Sequence, residues 1–347
     1  MQPALPQDHI KGVWEMFTVN KNLEKSPRLM RDVYCETLAE LAFENENIVV
    51  LDADLVSSSG MKPFFSRFPD RAIQCGVAEA NMIGIAAGLS AMGKIPFAHS
   101  FGCFASRRVC DQIMISAAYA RQNVRIVGTD PGITAAYNGG THMPFEDMGV
   151  LRSIPGITLI ELTDTVMLKD ILTQLTELRG VFYLRMARKN TMAVYQEGSS
   201  FEIGRGNMLR DGDDVTIIAS GIMINEAFKA ADILQTEGIS ARIVDMFTWK
   251  PIDPEIIEYC ARATGALVTA ENHNVIGGLG SAVAESVAQT FPVPIEMVGI
   301  KDRFGQVGTE DFLREEYNLT ASDIVIAAKR AKSRGAQRAS ARKGTSK

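Results

Sequence analysis

The sequence predicts an α/β protein built from two doubly wound domains, and three observations carry that prediction. Short apolar runs rich in β-branched residues alternate with segments of helical periodicity along most of the chain. Those runs are continuously apolar and end in acidic or turn residues, which marks strands buried on both faces of a parallel sheet. The alternation stops near residues 191–207, where TMAVYQEGSSFEIGRG is polar and turn-rich, and then begins again.

Residues 1–27 are polar with a few aromatics and read as an N-terminal extension, one suited to packing on a partner. RDVYCETLAELAFE (31–44) has apolar residues at helical spacing. NIVVLDADL (47–55) reads as a strand, and AIQCGV (72–77) as a second. AEANMIGIAAGLSAMG (78–93) is a helix of small residues that Gly93 ends. IPFAHSF is a strand, CDQIMISAAYAR a helix and VRIVGTD (124–130) another strand. TLIELTD and VFYLRMA complete the series, with VMLKDILTQLTE as the helix between them. This first domain is expected over 28–193, followed by a linker over 194–206.

The second, smaller domain is expected over 207–331. Its strands are VTIIASG (215–221), ARIVDMFTWKP (241–251), GALVTAEN (265–272) and IEMVGIK (295–301). NEAFKAADILQTEG, DPEIIEYCARAT and GSAVAESVAQTF are the helices between them. The tail 332–347 is basic, carries no acid and is rich in Ala, Ser and Gly, so it is expected to be disordered.

Bulk properties narrow the function. The chain has 347 residues, enough for two cores. Its net charge of −5 argues against nucleic acid or an anionic membrane as partner. The apolar uncharged run around residues 80–93 is shorter than the roughly 18–20 residues of a membrane span. Five cysteines without CxxC spacing and no signal-peptide pattern fit a reducing cytoplasm and no structural zinc. Four histidines at positions 9, 99, 142 and 273 form no ligand cluster by spacing, so no protein-only metal site is expected. There is no phosphate-binding GxxxxGK[ST] loop, and GGLG at 277–280 reads as a tight turn into a helix.

Four places could carry chemistry. Glu79 opens a helix just after a strand end. It is either a carboxylate satisfying a helix N-terminus or a functional group at the edge where parallel sheets place ligands. His142 follows the loop Asn138-Gly139-Gly140, where a histidine can act as acid, base or donor or simply sit in a loop. Phe101 and Phe104 lie three apart near a strand end and could be core or pocket wall. Arg185 and Arg188 follow VFYL, where a guanidinium could grip a phosphate or form a salt bridge.

Together these segments resemble the transketolase family. LDADL, GVAEANM and GGTHMPFEDMGVLRSIPG match its pyrimidine-binding domain in order and spacing, and ENHNVIGGLGSAVAE and KDRFGQVGTEDFL resemble its C-terminal domain. The likeness covers about residues 28–330. Deoxyxylulose-phosphate synthases and the beta subunits of 2-oxo acid dehydrogenases share the same two domains.

The resemblance implies thiamine diphosphate as cofactor. Glu79 matches the glutamate that hydrogen-bonds the aminopyrimidine and favours its imino form, whose nitrogen takes the proton from the thiazolium carbon. Phe101 and Phe104 match aromatics that pack on that ring, with Arg107 where a third aromatic is expected. Asp54 matches an acid that reaches the cofactor across a subunit interface. His142 matches a histidine that contacts the donor sugar. Arg31 and Arg188, with Ser58, match the phosphate-binding group of a sugar phosphate, and His99 and Asn138 fall on the substrate side. Asn138 stands where the family has an acid, and Thr129-Asp130 where it often has a histidine, so an unusual sugar is expected.

The family also holds Mg²⁺ and the diphosphate on a GDG motif with a later asparagine. The near match here is GDD at 212–214, in the second domain and without that asparagine. The resemblance therefore implies the C-terminal half of a split transketolase, with the metal ligands on a second kind of chain, an α₂β₂ assembly and sugar phosphate substrates. The alternatives are a lipoyl-linked 2-oxo acid decarboxylase subunit, a deoxyxylulose-phosphate-synthase-like enzyme and a non-catalytic paralogue.

Overall fold

A computed structural model describes the backbone of residues 16–344 and side chains to residue 337. Two mixed, mainly parallel sheets form its two halves. The first has seven strands in the order β10-β5-β6-β4-β3-β1-β2. These are β1 (Ile48–Asp52), β2 (Ala72–Gln74), β3 (Ile95–Phe101), β4 (Val124–Thr129), β5 (Ile157–Glu161), β6 (Val181–Met186) and β10 (Thr248–Lys250). The second has five, in the order β12-β11-β8-β9-β7. These are β7 (Asn207–Arg210), β8 (Val215–Ala219), β9 (Ala241–Asp245), β11 (Leu267–Asn274) and β12 (Ile295–Ile300).

The central strands β1, β4, β6, β8 and β9 are buried along their whole length. Their continuous apolar runs follow from helices covering both faces. From β1 the chain runs to β2 on one side and returns to β3 on the other. Strand order therefore reverses between β1 and β3, which opens a crevice at their C-terminal ends. Two tight exits line it. Asp54 after β1 has φ +64° and Asp130 after β4 has φ +58°, a left-handed conformation that aspartate tolerates better than most residues.

Three expectations are corrected. ARIVDMFTWKP is not one strand. It breaks after Asp245, and its second half becomes β10, which pairs antiparallel with β5 in the other sheet. The helix expected from CDQIMISAAYAR is α-helical only over Cys110–Gln112 and continues as a wider π-helix over Ile113–Tyr119. The basic tail, expected to be disordered, extends the last helix, Ala321–Gly344. Three alanines beyond Ala331, strong helix formers, make that extension favourable.

Residues 16–27 pair with this chain's own segment around residues 191–195. The Asn20 and Ser26 amides donate to the carbonyls of Val194 and Thr191, both at 2.8 Å. The rest of the expected extension, 1–15, lies outside the described residues. Among the described residues no helix is long and apolar enough to cross a membrane.

Between the sheets lies a buried polar network centred on Arg185 of β6, which is wholly inaccessible. Its Nε donates to Asp147 Oδ2 at 2.9 Å, its Nη1 pairs with Glu161, and its Nη2 donates to the carbonyls of Pro144 and Asn272 at 3.0 and 2.9 Å. Tyr183 adds a hydrogen bond to Asp147 at 2.9 Å. Glu161 also accepts from Ser220, which in turn accepts from Trp249 Nε1 at 3.1 Å. The two arginines left open by the sequence thus diverge. Arg185 lies within β6 and enters the core, while Arg188 lies beyond the end of β6, where its side chain reaches the crevice.

Removing one partner of a buried ion pair strands the other charge. Arg185→Met is expected to lower stability by about 3–5 kcal/mol, read from the urea unfolding midpoint. Neutralising both carboxylates as well, in Arg185→Met/Asp147→Asn/Glu161→Gln, should recover part of the loss.

Other buried groups predict a pH slope. Burial pushes the Asp245 carboxyl up to about 7 and Glu271 up to about 8. Acids with raised pKa values add stability that is complete below their unfolded values and lost as pH rises through the folded ones. Burial depresses His273 to about 4, and this penalty acts only below its unfolded value near 6.5. The thermal midpoint should therefore fall between pH 6.5 and 8, and Asp245→Asn should make that fall shallower.

Candidate active site at the switch point

The crevice between β1 and β3 gathers side chains from four strand ends into one run of contacts. Glu79 opens the helix Glu79–Ala91 and is 3% exposed. Its Oε2 accepts from Arg108 Nη1 at 2.9 Å. The Arg108 guanidinium lies over the Phe104 ring, 4.0 Å from its centroid. Phe104 and Phe101 each meet His142 edge-on, with centroids 5.2 and 5.7 Å apart. Arg188 lies 5.2 Å from the Phe101 centroid.

Arg188 is held in turn by Asp130. Its Nε and Nη2 reach the two carboxylate oxygens at 2.9 and 2.7 Å, a forked pair. Asp130 is 1% exposed and burial raises its pKa, although Arg188 pulls the other way. Asn138 Nδ2 approaches the same carboxylate at 3.4 Å. Arg188 and Arg31 both donate to the Ser58 carbonyl, at 3.4 and 3.1 Å. Arg31 is backed by Gly60, whose φ is +77° and where an added Cβ would sit 3.2 Å from the arginine stem.

Nine positions named from the sequence or adjoining them are thus in one contact run: Glu79, Phe104, Phe101, His142, Arg188, Asp130, Asn138, Ser58 and Arg31. Three others lie apart. Asp54 is exposed at the rim, its amide bound to Gln74 Oε1 at 2.8 Å. His99 lies beneath the floor, 1% exposed and 3.6 Å from Asp52. Neither of its ring nitrogens has a hydrogen-bond partner among the described residues. Arg107 points away from the aromatic pair, binding Glu146 and the Thr141 carbonyl.

Arg108, not Arg107, occupies the place beside Phe104 and Glu79. Sequence reasoning passed over it, yet it lies four residues after Phe104, the spacing that brings side chains together over one helical turn. The second half also contributes. Its loop around Gly305 presses on the His142 loop so closely that a Cβ on Gly140 would lie 2.1 Å from the Gly305 oxygen. Only glycine permits that approach. The two loops border a cavity of about 330 Å³, lined in part by Arg107, Glu146, Arg303 and Phe304.

The donor set suits a flat, nitrogen-bearing ring. A carboxylate at a helix start can accept from a ring nitrogen, and two phenylalanines offer apolar faces beside it. An anion can be met by the arginines across the crevice.

Comparisons with known proteins agree with this architecture. Residues 26–193 match the transketolase pyrimidine-binding domain, and residues 204–324 the transketolase C-terminal domain. The chain is 51% identical over 299 residues to the 6-deoxy-6-sulfo-D-fructose transketolase subunit SqwH of Clostridium sp., covering 86% of this chain and 93% of that one. It is 45% identical over 298 residues to a putative transketolase C-terminal section from Methanocaldococcus jannaschii, covering 85% and 93%. A solved split-gene transketolase, an inactive beta4 tetramer, superposes with a TM-score of 0.83 at 43% identity, over 88% of this chain and 99% of that one. The chain therefore belongs to the transketolase family and corresponds to the C-terminal subunit of a split transketolase.

Proposed function

We propose that this chain is the pyrimidine-binding subunit of a two-chain transketolase that moves a two-carbon ketol unit from an anionic ketose, a ketose phosphate or an analogue with another terminal anion, to an aldose acceptor. The observation that carries the reading is the unbroken run from Glu79 through the aromatic pair and His142 to Arg188 and Arg31. It offers an acid–base group, an apolar ring seat and an anion anchor in that order. Thiamine diphosphate, when bound, supplies the electron sink for breaking a carbon–carbon bond next to a carbonyl.

The chain's own residues prepare that chemistry. Glu79 exchanges a proton with the pyrimidine edge at its carboxylate, and Arg108 keeps that carboxylate in place. Phe101 and Phe104 exclude water from the ring. Thr141 Oγ1 lies 2.9 Å from His142 Nδ1, which fixes the imidazole and leaves Nε2 for the donor sugar's oxygens. Arg31, Arg188, Ser58 and Asn138 surround the far end of the sugar, with His99 buried beneath them, and Asp54 at the rim meets the neighbouring subunit. Mg²⁺ and the diphosphate are held by a partner chain, in an α₂β₂ assembly in the cytoplasm. Support for a partner comes from exposed apolar side chains on this half, Val77 just before Glu79 and Met114, Ile115 and Tyr119 on the π-helix.

Glu79→Ala should fold normally and lower turnover of the reconstituted pair by about 10²–10⁴-fold, the usual contribution of a positioned acid or base. Turnover at the wild-type rate would remove the proposed mechanism. Calorimetry of this chain alone, showing tight Mg²⁺-dependent cofactor binding, would remove the proposed partner.

A further inference from the structure

We propose that the substrate's far end carries a single negative charge, a sulfonate or a carboxylate, in preference to dianionic phosphate, and that Asp130 sets this preference. The inference rests on the ketol-transfer reading above and concerns the anion end of the same site.

The anchor has two guanidiniums, Arg31 and Arg188, brought together on the Ser58 carbonyl. Arg188 is already engaged. The fork formed by Nε and Nη2, which would otherwise clasp a phosphate, is closed on Asp130 at 2.9 and 2.7 Å. Only Nη1 remains toward the crevice, and its partner there is the distant Ser58 carbonyl. Arg31 retains an unused donor, since its Nε is buried without a hydrogen-bond partner. Asp32 lies 3.6 Å from that nitrogen but is half exposed, so water and salt screen it.

Two cations less one buried carboxylate leave one positive charge for the ligand. A monoanion balances that charge, whereas a phosphate dianion overshoots it and lies against the Asp130 carboxylate. Asp130 is 1% exposed, so little solvent softens the repulsion. Its other ionisable neighbours are Lys189, which is exposed, and the buried His99, itself 3.6 Å from Asp52. Asp130 cannot easily swing aside. Its backbone is in the left-handed region at φ +58°, and Asn138 approaches its second oxygen. A positioning residue of this kind selects by charge number, because sulfonate, carboxylate and phosphate all accept from the same arginine donors.

The test uses this chain reconstituted with its partner subunit, thiamine diphosphate and Mg²⁺. Three ketose donors of one stereochemistry, ending in sulfonate, carboxylate or phosphate, are compared by kcat/KM. At pH 8 the sulfonate or the carboxylate donor should exceed the phosphate donor at least ten-fold, and comparison of the two monoanions shows which group fits. Phosphate monoesters have a second pKa near 6, so the phosphate-to-sulfonate ratio should rise about five-fold from pH 7 to pH 6 as the monoanion forms. Asp130→Asn should bring the ratio at pH 8 toward one and flatten its pH dependence. A phosphate donor that equals or beats both monoanions at pH 8, with a flat ratio, overturns the proposal. So does a folded Asp130→Asn enzyme with an unchanged ratio. If that variant does not fold, the wild-type pH ratio decides. If no donor turns over, the ketol-transfer reading fails by itself. The charge preference is then read by calorimetry with the corresponding reduced, non-cleavable sugars, where tighter phosphate binding overturns it.

Discussion

The structure depends on the buried guanidinium of Arg185. It is a cation with no access to water, and it persists because Asp147 and Glu161 supply opposite charge while two backbone carbonyls take the remaining donors. Those partners come from a helix, a strand and a loop of the first half and from β11 of the second. One side chain thus fixes the relative position of both sheets. A purely apolar seam of similar volume could be as stable, but it would tolerate sliding, whereas four directed hydrogen bonds do not. The loop pressed against the His142 loop by the second half inherits its position from this seam.

The crevice itself follows from strand order. The reversal between β1 and β3 separates the helices that follow them, and side chains at neighbouring strand ends then face a shared space. Two aspartates in left-handed conformation turn the chain sharply enough to keep that space open. Glu79 lies beside it because its helix begins there, where unsatisfied amides favour a carboxylate. The helix start thereby places the Glu79 carboxylate at the crevice, against Arg108.

Much of this was legible beforehand, for physical reasons. Buried parallel strands write themselves as unbroken apolar runs, so β1, β3, β4, β6 and β8 were found close to their bounds. The ordered motifs around Glu79, Phe101, Phe104 and His142 named the residues that meet in the crevice. Other features depend on distant partners and leave no local trace. Nothing near ARIVDMFTWKP says that Thr248–Lys250 will join a different sheet. Adjacent arginines at 107 and 108 differ only in which way a short turn faces them. The pairing of Asp130 with Arg188 spans 58 positions and joins two loops that have no periodicity to read. In the tail, charge suggested solvation, and alanine content, which favours helix, prevailed.

The strand β10 has an implication for how such a protein can be inherited. It leaves the second half, crosses the seam and closes the outer edge of the first sheet against β5. A cut at the linker between the halves would leave β5 with open backbone donors and acceptors, the kind of edge that recruits foreign strands. Shuffling of genetic modules at that linker is therefore disfavoured, even though the chain looks divisible there. The two halves hold together as one unit, since the second supplies the strand that closes the first sheet's edge.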